Sequence, residues 1–134
     1  MSILGRHVPF RVIALVAFVL IVTVGALVGA IGRTSTRDIT LVTRGMAFYL
    51  ENDPATPNPT IEVKAGERVR IVLQNRDRGF THDFAVPAFN AGLDPISWNE
   101  DGDLVLDVPP APGSYEYVCR PHEMMMRGTI IIRE

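Results

Sequence analysis

The sequence predicts an all-β domain, folded as a Greek-key β-sandwich and preceded by one N-terminal transmembrane α-helix. Three observations lead to this fold class. One apolar run near the start is long enough to cross a bilayer, short apolar runs separated by turn residues fill the rest, and no stretch has the period of an amphipathic helix. About eight strands within residues 39–134 are typical of a sandwich.

The chain begins with a basic flank, residues 1–11, followed by an uncharged apolar run, residues 12–31. As a helix rising about 1.5 Å per residue, this run is roughly 30 Å long, which matches the hydrocarbon core of a bilayer. We therefore predict a retained single-pass anchor over residues 12–31. A cleaved signal peptide is the main alternative, although its apolar region usually spans only about 7–15 residues.

A short polar linker, residues 32–38, joins the anchor to the domain over residues 39–134. Fully extended, the linker reaches only about 25 Å, so we expect the domain to lie close to the bilayer surface. Two arginines flank the apolar run on each side, so the positive-inside count does not fix the orientation.

Proline- and glycine-rich breakers delimit the strands of the domain, as in PPAPG at residues 109–113. Within residues 68–75, apolar Val69, Ile71 and Leu73 recur at every second position, which predicts a strand with one buried face. The predicted strands are Ile39–Thr43, Ala47–Leu50, Thr60–Val63, Arg68–Asn75, His82–Val86, Leu104–Val108, Ser114–Cys119 and Gly128–Arg133.

The composition excludes several classes of function. Thirteen basic and fifteen acidic side chains give a net charge of −2, unlike the strongly basic face of a nucleic-acid-binding protein. A single cysteine excludes an intrachain disulfide framework, a four-cysteine zinc site and a cysteine-ligated iron–sulfur cluster. Five acidic residues fall in one stretch, namely Asp94, Glu100, Asp101, Asp103 and Asp107. This stretch either steers a basic redox partner, such as a cytochrome, or is ordinary solubility charge.

The loop over residues 117–128, YVCRPHEMMMRG, places a thiol, an imidazole and thioethers together at a strand end, and His82 lies where another turn leads into a strand. Thiolate and thioether ligands favour copper, and two histidines, one cysteine and a weak axial methionine form an electron-transfer copper site. Taken singly, His82 is more often a hydrogen-bonded histidine and Cys119 a small buried apolar residue. The joint pattern at one end of the sandwich predicts a metal site.

These motifs make residues 39–134 resemble the cupredoxin family of small blue copper proteins, the plastocyanin, amicyanin and azurin type. The matching pieces are Asn75-x-Asp77 followed by His82, then Tyr117-x-Cys119-x-Pro121-His122, then Met126-x-Gly128-x-Ile130. The resemblance implies that His82, Cys119 and His122 bind one mononuclear copper ion equatorially. Counting back from Gly128 selects Met126 as the axial ligand, whereas counting forward from His122 selects Met125; we choose Met126.

Asp83 occupies a position where many relatives carry asparagine. An aspartate there would add negative charge near the metal and favour Cu(II), which would lower the reduction potential. The alternative is that Asp83 is a solvated charge at a strand end.

We therefore expect a membrane-anchored type 1 copper protein that carries single electrons, with its domain in the periplasm or outside the cell. It would be an electron carrier rather than a catalyst, because the His-x-His pairs of a multicopper oxidase are absent. Redox proteins, such as a cytochrome or a membrane electron-transfer complex, are the expected partners, with no nucleic acid and no small-molecule substrate.

Two alternatives remain open for this domain. One is a structural subunit of a membrane complex, with a cupredoxin fold and no functional copper. The other is a Cu(I) chaperone or storage module that uses Met124, Met125 and Met126 with His122.

Overall fold

Nine β-strands in two sheets make up the part of the chain, residues 36–134, that the computed structural model describes. The strands are β1 Arg37–Thr43, β2 Phe48–Leu50, β3 Ile61–Lys64, β4 Arg68–Asn75, β5 Ala85–Val86, β6 Ala91–Gly92, β7 Asp101–Asp107, β8 Gly113–Val118 and β9 Arg127–Arg133. Two short 3-10 turns, Pro87–Phe89 and Arg120–His122, complete the regular structure of these residues. The expectation of an all-β sandwich is confirmed.

The first sheet has the strand order β2-β1-β4-β7. β1 runs parallel to β4, while β2 and β7 lie antiparallel to their neighbours. β4 has the bounds that the sequence predicts, and its residues Val69, Ile71 and Leu73 are fully buried. The alternation of apolar residues therefore predicted correctly which face of β4 is buried.

The second sheet has the order β3-β9-β8-β5-β6 and carries the segments of chemical interest. β8 and β9 pair antiparallel along their length, so the loop between them closes one end of the sandwich. A single pairing of Ala85 with Val118 draws β5 against β8. This pairing brings the chain just before β5 next to Cys119, which directly follows β8.

Three aromatic rings lie at the centre of the core. Phe84 stacks on Tyr117 with ring centroids 5.1 Å apart, and Phe48 packs edge-on against both. The Tyr117 hydroxyl donates a hydrogen bond of 2.7 Å to the Pro59 carbonyl. A side chain at Gly128 would overlap the Tyr117 ring, so this glycine is required by packing.

The segment around His82 differs from its prediction as a continuous strand over residues 82–86. Only Ala85–Val86 belong to the sheet, and His82 forms an isolated antiparallel bridge with Ile96. The short strand Ala91–Gly92 was not predicted, because two residues give no periodic signal. Loop geometry, rather than a sheet ladder, therefore places His82.

The predicted basic flank 1–11, the anchor 12–31 and most of the linker 32–38 lie outside the described residues. The first strand begins at Arg37, inside the predicted linker. Across residues 36–134, the structure has no helix with the length and apolar character to span a membrane.

Candidate metal centre

The four predicted site residues lie at the end of the sandwich where β8 turns into β9. His82 precedes β5, Cys119 directly follows β8, His122 ends a 3-10 turn and Met126 directly precedes β9. His82, Cys119 and Met126 are completely buried, whereas His122 is half-buried. The folded chain thus brings together residues that are 44 positions apart at the extremes, from 82 to 126.

Three donor atoms converge at this end. The Cys119 Sγ lies 3.6 Å from the Nδ1 atom of His82 and 3.6 Å from the Nδ1 atom of His122. The three ligand atoms all lie within 4.8 Å of one another. Imidazole and thiolate donors bound at about 2.0–2.3 Å to one ion, about 120° apart, are separated by about 3.6–3.8 Å. The two sulfur–nitrogen separations therefore fit a shared metal ion.

Backbone hydrogen bonds fold the loop between Cys119 and Met126 into a compact turn. The Cys119 N–H donates to the Met126 carbonyl at 2.9 Å, and the His122 N–H donates to the Cys119 carbonyl at 3.0 Å. The amides of Met125 and Met126 both donate to the His122 carbonyl at 2.9 Å. These bonds turn the Met126 side chain into the core, while Met124 and Met125 are 89% and 55% exposed.

Burial sets the protonation of the two inner donors. Desolvation lowers the pKa of His82 more than the nearby carboxylates raise it, so the ring is neutral and can offer a lone pair. Desolvation also raises the pKa of the Cys119 thiol. A metal that binds the thiolate must therefore displace the thiol proton.

Asp77 fixes the orientation of the His82 ring. Its Oδ2 atom lies 3.2 Å from His82 Nε2 and also accepts a hydrogen bond of 2.9 Å from the Met46 N–H. Because a carboxylate only accepts, the ring proton sits on Nε2 and leaves Nδ1 free toward Cys119. Burial opposes ionisation of Asp77, but these hydrogen bonds outweigh it and hold the pKa of its carboxyl below the usual value.

Asn75 ties this loop to the first sheet. Its Oδ1 atom accepts hydrogen bonds from the Thr43 hydroxyl and the Asp77 N–H, and its Nδ2 atom donates to the carbonyls of Phe80 and Ile96. Among the described residues, no buried side-chain nitrogen or oxygen lacks a partner. The loop that presents His82 is therefore rigidly held although it is not a strand.

Asp83 is fully buried, which rules out a solvated charge at a strand end. Its backbone N–H points at Cys119 Sγ, 3.5 Å away. Its carboxylate accepts hydrogen bonds from the backbone N–H of Arg120 at 2.7 Å and from the Arg120 Nε at 2.6 Å. The charge that the sequence placed near the metal is thus paired with a guanidinium.

Exposed side chains in the loops that carry His82 and His122 form an apolar rim. The Phe80 ring packs edge-on against His122 with centroids 5.9 Å apart, and Phe80 is 43% exposed. Met124 and Met125 are the other exposed apolar residues of this rim, which we define as Phe80, Met124 and Met125.

Sequence reasoning missed the partners that orient the donors. Asp77 belongs to the Asn75-x-Asp77 motif, and this spacing was the available signal for its role. Arg120 gave no signal, because its contact with Asp83 joins positions 37 residues apart.

The protein defined by these observations is a two-sheet β-sandwich with a buried cluster of soft metal donors at one end. Residues 13–132 match the family described as cupredoxin-like domain. The match covers most of the sequence, so the chain belongs to the cupredoxin-like family.

Solved structures show the same fold. Auracyanin B has 19% sequence identity and a TM-score of 0.61, covering 78% of this chain and 94% of that one. Auracyanin A, a "blue" copper protein from Chloroflexus aurantiacus, has 20% identity and a TM-score of 0.60, covering 74% and 100%. Fet3p, a multicopper oxidase that functions in iron import, has 20% identity and a TM-score of 0.58, covering 75% of this chain and 23% of that one. By sequence, no curated protein matches the chain significantly.

Proposed function

We propose that this chain binds one copper ion through His82, Cys119, His122 and Met126 and carries single electrons between redox partners. The observation that carries the proposal is the convergence of one sulfur and two imidazole nitrogens within 4.8 Å at the closed end of the sandwich. This soft donor set suits copper. Copper, when bound, supplies a one-electron couple between Cu(II) and Cu(I).

The protein's contribution is to hold the donor atoms in fixed positions and to shield them from water. His82 and Cys119 are completely buried, so the protein shields the inner donors from water. Asp77 and the turn over residues 119–126 fix the ring and the sulfur by hydrogen bonds. A donor set that does not rearrange favours electron transfer over bond chemistry.

Met126, rather than Met125, is the proposed fourth ligand. Its side chain is completely buried in the core cluster with Cys119, whereas the Met125 side chain is more than half exposed. The Met125 carbonyl is held instead by the Asn58 side chain at 3.0 Å.

The role of carrier rather than catalyst rests on the sequence and the burial of the donors. The fold itself does not decide this point, because a multicopper oxidase shares it. The chain has three histidines, none of them in a His-x-His pair. The inner donors are also closed off from any substrate by the core.

The apolar rim marks the place where we propose that electrons enter and leave. His122 is the donor that reaches the surface, and the rim of Phe80, Met124 and Met125 offers partners a dry contact around it. The partners would be redox proteins, such as a cytochrome or a membrane electron-transfer complex. The apolar run over residues 12–31 supports a membrane anchor, with the domain in the periplasm or outside the cell.

The test is to add Cu(II) to the purified full chain and to its Cys119→Ser variant and to record visible absorption and electron paramagnetic resonance spectra. We expect an intense thiolate-to-copper band in the wild type and none in the variant. A wild-type chain that binds Cu(II) without this band, or that binds no copper, would contradict the proposal.

A second candidate, a Cu(I) carrier or store, is favoured by the exposure of Met124 and Met125, since thioethers bind Cu(I). It predicts Cu(I) binding that survives Cys119→Ser but is lost in a Met124→Leu/Met125→Leu variant. The electron-carrier proposal predicts that Cu(I) binding is lost in Cys119→Ser and survives in the Met124→Leu/Met125→Leu variant.

A further inference from the structure

An ion pair with a buried carboxylate joins the two segments that supply the inner donors. Asp83 follows His82 directly, and Arg120 follows Cys119 directly. The Asp83 N–H points at Cys119 Sγ, and the Asp83 carboxylate accepts hydrogen bonds from the Arg120 backbone and side chain. Each segment thus donates a backbone hydrogen bond to the other.

The guanidinium of Arg120 is held from a third side. Its Nη2 atom donates to the Leu93 carbonyl at 2.7 Å, in the segment that follows β6. The Arg120 side chain is 54% exposed, whereas the Asp83 side chain is 1% exposed. The positive partner is therefore solvated and replaceable, while the negative partner lies in the interior beside the sulfur.

We propose that Arg120 is a positioning residue that neutralises Asp83 and thereby sets the preference of the site for Cu(II) or Cu(I). This inference rests on the proposed function. A bare carboxylate beside the donors favours the more positive oxidation state of the metal, and the guanidinium cancels that field at short range. Because its charge is neutralised, the Asp83 carboxylate does not lower the reduction potential. Its hydrogen bonds still hold the two segments together.

The signs of two substitutions separate this role from a purely structural one. Arg120→Met keeps the apolar stem and leaves the Asp83 charge uncompensated, so Cu(II) is favoured. Asp83→Asn keeps the shape and leaves the guanidinium uncompensated, so Cu(I) is favoured. Both variants lose the side-chain hydrogen bond between Arg120 and Asp83. If the pair acted only through that hydrogen bond, both substitutions would shift the potential in the same direction.

The experiment is a redox titration of the copper-loaded full chain and its variants. We expect Arg120→Met to raise the ratio of Cu(II) to Cu(I) affinity about tenfold, which lowers the potential by about 59 mV for a one-electron couple. Asp83→Asn should lower that ratio severalfold, and Arg120→Lys, which retains the charge, should stay near wild type. Arg133→Met, which removes an equal charge from an exposed pair with Glu62, is the matched control and should leave the potential unchanged.

Unfolding of the metal-free full chain, followed by the fluorescence of Trp98, provides a readout that needs no copper, since the chain has one tryptophan. Removing the guanidinium leaves the buried Asp83 carboxylate uncompensated, which costs more than removing both charges. Arg120→Met should therefore destabilise the fold more than the Asp83→Asn/Arg120→Met double variant does. The double variant should also return to a potential near wild type.

Potential shifts in the same direction for Arg120→Met and Asp83→Asn, or no shift for either, would overturn the inference. So would a double variant that is less stable than Arg120→Met. A wild-type chain without the thiolate-to-copper band is a different outcome, because it removes the proposed function while the unfolding comparison still tests the pair.

Discussion

Two ion pairs with the same bond length show how differently the two regions of this molecule use charge. On the open face of the first sheet, Arg68 and Asp107 lie 2.6 Å apart with side chains 53% and 71% exposed. At the end of the sandwich that holds the metal donors, which we call the donor end, Arg120 and Asp83 also lie 2.6 Å apart, but the carboxylate is buried. Exposed pairs contribute little to stability, whereas removing the partner of a buried charge leaves that charge uncompensated. The two pairs therefore differ in the burial of the carboxylate and not in distance, and only the second lies beside the proposed metal donors.

The open face also accounts for much of the acidic stretch. Asp101, Asp103 and Asp107 each pair with an arginine in β4 or directly after it, namely Arg76, Arg70 and Arg68 respectively. The stretch is thus a ladder of opposite charges rather than a bare negative patch. This arrangement favours the interpretation as solubility charge over the steering of a basic partner.

The largest predicted effect is at Gly128, where the donor end is packed most tightly. Gly128→Ala should destabilise the fold by about 3 kcal/mol, because the new methyl group would overlap the buried Tyr117 ring. Urea unfolding measures the change, and Ser114→Ala on the exposed side of β8 is the control with no expected effect. Equal stability of both variants would mean that the ring can move aside.

The next largest effect is expected at Asp77, the carboxylate that contacts the His82 ring at the donor end. Asp77→Asn should weaken copper binding about tenfold, because the His82 ring loses its anionic anchor. Competition with a chelator of known affinity measures the change. Asp103→Asn removes an equal charge from the open face and should leave copper affinity unchanged. Similar losses in both variants would show that net charge, rather than ring orientation, is responsible.

A smaller, pH-dependent effect is expected at Glu67, which directly precedes β4, at the opposite end of that strand from Asn75. Hydrogen bonds from Arg37, together with the Lys64 N–H, lower the pKa of Glu67 despite partial burial. Its stabilising contribution is therefore complete above the unfolded pKa of about 4.3 and is lost as the pH falls through the lower folded value. Glu67→Gln should cost about 1 kcal/mol at pH 7 and progressively less as the pH falls below the unfolded pKa. A cost independent of pH would contradict this assignment.

The smallest effect is expected on the open face itself. Arg68→Met should leave both the free energy of unfolding and the copper affinity nearly unchanged, because the Asp107 carboxylate that it frees is already in water. A loss as large as that of Arg120→Met would remove the distinction between the two regions.

The sequence was informative where the signal is periodic or local. The alternation at Val69, Ile71 and Leu73 predicted β4 with its correct bounds, and the spacing of Cys119 and His122 placed two donors in one loop. Strand ends elsewhere shifted by one to three residues, because sheet pairing rather than propensity sets them.

Contacts between distant segments were beyond the sequence. The strand predicted at His82 is a loop that a network around Asn75 holds in place, and this network joins positions 32 residues apart. The pairing of Asp83 with Arg120 depends on the single register contact between Ala85 and Val118. The pairing of Asp83 with Arg120 could therefore not be predicted before the pairing of β5 with β8 was known.

The most direct test of the account is X-ray absorption at the copper edge of the loaded full chain, which identifies the atoms bound to the metal. The account predicts two imidazole nitrogens and one short bond to sulfur, with the short sulfur bond lost in Cys119→Ser. A spectrum dominated by several thioether sulfurs, or by nitrogen and oxygen alone, would contradict it.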